Sequence, residues 1–97
     1  MKILFDPLAY AEMEDAVEWY EHEKSGLGKK FKNEIDGALD RIVRHPTWSI
    51  ETRPGVFRIR IKIFPYKLLY SVLDDSIVIL AVSHNHRDPN HWCGRRI

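Results

Sequence analysis

Ninety-seven residues, 44% hydrophobic and 11% aromatic, are enough for one modest core and leave no room for a second domain, so a single domain over residues 1–97 is expected. The one cysteine, Cys93, excludes an internal disulfide and suits a reducing cytoplasm, and the longest apolar run, residues 77–82, is too short to span a bilayer. A net charge of +1 is unevenly divided: residues 1–48 hold seven Lys/Arg and ten Asp/Glu, and residues 49–97 hold eight and four, which points an anionic partner toward the second half.

Lys2 to Phe5 is a short strand candidate. Asp6-Pro7 follows as helix-start punctuation: the carboxylate accepts from early free amides and proline's φ fits the first turn. Ala9, Met13, Ala16, Val17 and Tyr20 then form one helical stripe. Glu12, Glu14, Asp15, Glu18 and Glu21 fall largely off that stripe and are expected in solvent. Trp19-Tyr20 reads as core. Ser25-Gly26-Leu27-Gly28 breaks the helix, and Leu27, Phe31, Ile35, Ala38, Leu39, Ile42 and Val43 make a second stripe ending at His45-Pro46. Two amphipathic helices around a short break predict an αα-hairpin.

Thr47 to Pro54 holds room for one short edge strand. Val56 to Phe64 is the cleanest alternation: Phe57, Ile59, Ile61 and Ile63 on one face, Arg58, Arg60 and Lys62 on the other. The four apolar residues are expected under the helices. Pro65-Tyr66 turns the chain into a strand from Lys67 to Leu73, and Asp74-Asp75-Ser76 turns it again. Ile77 to Val82, apolar throughout, reads as a central strand covered on both faces. The fold expected is α+β: an N-terminal strand, an αα-hairpin, then a three- to four-stranded antiparallel sheet.

Two constellations carry possible chemistry. Arg58, Arg60 and Lys62, with Lys67 opening the next strand, hold fixed positive charge on one sheet face, and no acidic residue occurs from Arg53 to Leu73. Such a row suits a phosphate backbone or an acidic peptide; it is equally the solvated face of a half-buried sheet. Beyond the central strand, His84, His86, Arg87 and His91 supply candidates for proton transfer and phosphate stabilisation, or they simply hold that segment in place with Trp92 as a packing anchor. His84, His86, His91 and Cys93 lack the spacing of a structural zinc site, and Gly26-x-Gly28 does not follow a strand, so neither a metal nor a nucleotide cofactor is expected.

Trp19-Tyr20-Glu21 with Gly26-Leu27-Gly28-x-x-Phe31-x-x-Glu34, Arg58-x-Arg60 with Phe64-Pro65-Tyr66-Lys67-Leu68-Leu69-Tyr70, and Ile79-Leu80-Ala81-Val82-x-His84-x-x-Arg87-Asp88-Pro89-x-x-Trp92 together resemble the toxins of the RelE/ParE superfamily, plasmid-stabilisation type, over nearly the whole chain. The resemblance implies a type II toxin–antitoxin toxin and a small acidic antitoxin that wraps it. It leaves two targets open: DNA gyrase, inhibited without nuclease activity, or messenger RNA cleaved on the ribosome. A non-toxic, antitoxin-binding remnant is the third reading. For a nuclease, the resemblance places Arg58, Arg60, Lys67, Arg87 and His91 in the catalytic set, with lysine at Lys67 where the family has arginine. For antitoxin or target binding it points to Arg58, Arg60, Lys62, Arg87 and Trp92. The long helices and the Gly-Leu-Gly break lean toward gyrase inhibition.

Overall fold

A computed structural model describes residues 1–86 and 91–95. Strand β1 (Lys2–Phe5) leads into helices α1 (Pro7–Glu23) and α2 (Leu27–Arg44), followed by β2 (Ile50–Arg53), β3 (Val56–Arg60), β4 (Tyr66–Leu73) and β5 (Ser76–His84). The five strands form one sheet in the order β1-β5-β4-β3-β2. β2 to β5 are antiparallel neighbours, as the hairpin turns in the sequence imply, while β1 returns to pair with β5 in parallel, Ile3 opposite Ile77. Among the described residues no helix is long and apolar enough to cross a membrane.

The helix starts follow local chemistry. Asp6 accepts from the Leu8 amide at 2.8 Å, with Pro7 in the first turn. Between the helices, Gly26 adopts φ 89°, a conformation that favours glycine. Gly28 is required for a different reason: a Cβ there would lie 2.6 Å from the Val17 carbonyl oxygen, so its absence lets α1 and α2 touch. Glu21, expected to be merely solvated, clamps this junction. Its carboxylate accepts from the Gly26 and Gly28 amides at 3.0–3.1 Å, satisfying donors that the start of α2 leaves open.

Both helices cover one sheet face. Met13, Ala16, Phe31, Ile35, Ala38 and Ile42 pack there against Leu68, Tyr70, Ile77, Ile79 and Val82. Tyr20 stacks on Phe31 and meets Phe64 and Tyr66 edge-on. Its neighbour Trp19 points away and is 58% exposed, which corrects its assignment to the core. The opposite face carries a smaller cluster of Leu69, Val78, Leu80, Ala81 and Trp92. β5 is therefore buried on both sides, as its unbroken apolar run predicts.

The alternation at Val56 outlasts the strand it predicts. β3 stops at Arg60, and residues 61–65 turn sharply: the Phe64 amide donates to the Lys62 carbonyl and the Tyr66 amide to the Phe64 carbonyl, both at 2.8 Å. These bonds close two successive three-residue turns, the first centred on Ile63 at φ 74°. Ile61 is buried and Phe57 and Ile59 pack against the helical core, but Ile63 is 68% exposed and Phe64 fills the core in its place. Lys62, beyond the end of the strand, is not part of the extended row either.

Candidate functional site: a basic sheet face

Arg58 and Arg60 lie on β3 and Lys67 on β4, with Arg60 directly opposite Lys67. Alternation puts all three on the face away from the helices, where Arg58 pairs with Leu69, Lys67 with Ser83, and Leu69 in turn with Ala81. Lys67 is only 9% exposed. Its Nζ reaches the His84 carbonyl at 3.4 Å. Burial, and then the charges of Arg58 and Arg60, lower the Lys67 pKa below the ordinary lysine value. The row thus concentrates positive charge with no carboxylate paired to Arg58 or Arg60 among the described residues.

The other expected site residues are placed elsewhere. His84 ends β5 on the helix side, edge-on to Tyr66, and its Nδ1 accepts from the His86 amide at 3.1 Å. Trp92 is 8% exposed in the smaller cluster, with Arg53 5.4 Å above its ring, which is the packing-anchor role. His91 lies 3.1 Å from Glu12. Arg87 falls outside the described residues. The basic row and His91 are accordingly held by different parts of the fold.

Glu12 is the residue that sequence reasoning misplaced most. β1 is shorter than β5, so beyond Ile79 the edge of β5 has no strand beside it. Glu12 Oε1 accepts there from the Val82 amide at 3.1 Å, and Arg95 donates to the Leu80 carbonyl at 3.1 Å. Arg95 also grips both Glu12 oxygens, at 2.8 and 3.0 Å. Burial pushes the Glu12 pKa up, but the Arg95 and Val82 hydrogen bonds, with the charges of Arg95 and His91, outweigh it and leave the carboxyl below its ordinary value. Arg95, in turn, is raised by its bond to Glu12. A seal of this kind has one faint signal in the sequence: an acidic residue one step beside the apolar stripe.

The model of the ParE toxin of type II toxin–antitoxin systems, parDE, matches residues 3–89. The chain belongs to the ParE toxin family. Among solved structures, this ParE-family chain is similar to one of a chromosomal ParDE toxin–antitoxin system from P. aeruginosa, with TM-score 0.63 and 14% identity over 87% of this chain and 95% of that one. It is also similar to a doubly arginine-substituted mutant of the E. coli toxin RelE in complex with a peptide of the antitoxin RelBc, with TM-score 0.61 and 19% identity over 84% of this chain and 79% of that one. At such identities the two likenesses establish the shared fold. No curated protein matches the chain significantly.

Proposed function

We propose that this ParE-family chain arrests growth in the cytoplasm by inhibiting DNA gyrase, and that a cognate acidic antitoxin neutralises it by covering Arg58, Arg60 and their surroundings. The observation that carries the gyrase reading is the engagement of His91 by Glu12 at the β5 edge. Arg58 and Arg60 stand two strands away, roughly 10 Å by ordinary strand spacing. Their cross-strand partners on β4 are Leu69 and Lys67, followed on β5 by Ala81 and Ser83, and none of these four is a carboxylate, imidazole or phenol. Arg58 and Arg60, always charged, hold an anion or a protein partner firmly without themselves moving a proton.

One observation favours the competing ribosome-dependent nuclease: Lys67, opposite Arg60 and with its pKa lowered by burial and by the charges of Arg58 and Arg60, is placed to contact a phosphate and exchange a proton near it. The deciding experiment induces wild type and a His84→Ala/His86→Ala/His91→Ala variant, then follows supercoiling and messenger integrity together. Blocked supercoiling with intact messenger is the expected result for wild type. Messenger cut by wild type and spared by the folded triple variant would overturn the gyrase reading. Growth unaffected by wild type would leave only the antitoxin-binding remnant. For the antitoxin, Arg58→Glu with Arg60→Glu is expected to weaken binding and flatten its salt dependence.

A further inference from the structure

β2 is too short to cover β3. Ile50 pairs with Arg58, and beyond that register the outward edge of β3 at Arg60 has no strand beside it. A cavity of about 550 Å³ opens at this edge, lined by Arg41, by Trp48, Ser49 and Ile50, and by the β3 segment Arg58-Ile59-Arg60. Its volume falls in the range of small-ligand sites. Two elements bring arginines to it, Arg41 from α2 and Arg58 and Arg60 from β3, with the loop before β2 supplying the wall. No carboxylate lines the cavity, and among the described residues none of the three arginines is paired with one.

The aromatic wall is unusual for an exposed loop. Trp48 is 77% exposed, and its ring stacks on His45 with centroids 3.5 Å apart and planes 5° from parallel. An indole backed on one side and open to solvent is a ready stacking surface for a second flat ring. Arginine forks beside it match phosphate oxygens in shape and charge. The edge is poorly suited to an added peptide strand, because Arg41 Nη2 already donates to the Arg60 carbonyl at 3.3 Å and occupies the acceptor that strand would use.

We propose that this edge cavity binds a phosphorylated nucleoside, free or as one unit of a single-stranded nucleic acid, with the base stacked on Trp48 and the phosphate held by Arg58, Arg60 and Arg41. Gyrase inhibition is not needed for this site, and its failure would leave that reading untouched. The site does predict that ligand and any partner covering Arg58 and Arg60 compete.

The test follows indole N–H signals of the isotopically labelled protein, in which Trp19, Trp48 and Trp92 report separately. Titration with 5′-AMP is expected to move Trp48 saturably and to leave Trp19, exposed on α1, in place. Adenosine alone and inorganic phosphate alone should each bind about tenfold or more weaker, since each keeps half of the recognition. Trp48→Leu and, separately, Arg58→Gln with Arg60→Gln should each weaken 5′-AMP by about 10- to 100-fold, the usual scale for losing one stacked base or a paired phosphate contact. These side chains lie at the surface, so unchanged melting of the variants confirms that folding is not the cause. A short oligoadenylate binding tighter than 5′-AMP identifies a strand as the source; equal affinity identifies the mononucleotide. The proposal is overturned if Trp48 does not respond to 5′-AMP, if phosphate alone reproduces the response, or if a glutamate-rich peptide moves Trp48 where the nucleotide does not.

Discussion

Replacing Glu12 with alanine should be among the most damaging single changes on α1, although the residue stands among solvated acids in the sequence. The carboxylate side chain is 16% exposed and those of its partners Arg95 and His91 are each 10% exposed. Glu12→Ala leaves a mostly buried guanidinium without its counter-charge and the Val82 amide without its acceptor. Breaking a fully buried pair from one side costs about 3–5 kcal/mol, and the residual solvent access here lowers that to about 2–4 kcal/mol. For a domain of this size, each kcal/mol corresponds to about 4–8 °C in Tm, so a loss of at least about 8 °C is expected. Thermal unfolding of wild type, Glu12→Ala and Arg95→Leu, with the double variant closing the cycle, measures it. The pH dependence has a defined sign: because the folded carboxyl titrates below its ordinary value, its contribution is complete above the unfolded carboxylate pKa and is lost as pH falls through the folded one. Glu12→Gln should lack that part of the acid sensitivity. A Glu12→Ala protein melting within about 2 °C of wild type would refute the assignment of Glu12 as a structural seal.

The turn after β3 gives a paired prediction: Ile61→Asp should cost more than about 3 kcal/mol by stranding a charge in the core, while Ile63→Asp, at an exposed position, should change melting little. Ile63→Gly should raise stability by about 1 kcal/mol, because a β-branched residue at φ 74° is strained and glycine is not; a lower melting temperature would count against that strain. Gly28→Ala should destabilise by about 1–3 kcal/mol despite alanine's better helix propensity, since its methyl meets the Val17 carbonyl. Lys67→Met should be neutral or stabilising in chemical denaturation, and wild-type stability should rise as pH climbs from the lowered folded lysine pKa toward the unfolded one, because the unfolded chain then holds the extra proton.

Periodicity made the helices and the buried β5 readable, because their apolar spacing reports directly which face meets the core. The same signal overran at Ile63: alternation continues through residue 64, while the backbone direction is set by two tight turns around Ile63 and Pro65 that hydropathy does not encode. Lys67 reads as surface charge, but its long apolar stem lets it lie nearly buried between Arg60 and Ser83, which is a property of strand neighbours rather than of local sequence. The basic row itself was legible through Arg58 and Arg60. The cavity beside it was not, since Arg41 and Trp48 join those residues only when β2 ends early. Glu12 was lost for a related reason: its partner Arg95 lies 83 positions away.

That separation also shapes how the chain comes to be folded. Synthesis delivers Glu12 early and Val82 and Arg95 70 and 83 positions later. Until residue 95 has emerged, the Leu80 carbonyl lacks its donor and the β5 edge beyond β1 stays open. An open edge in an apolar strand is a template for pairing with another chain. Partly synthesised molecules should therefore be the sticky ones. The interval between making β5 and docking residues 91–95 is when this fold is most exposed to misassembly, and the closure of a single ion pair brings that interval to an end.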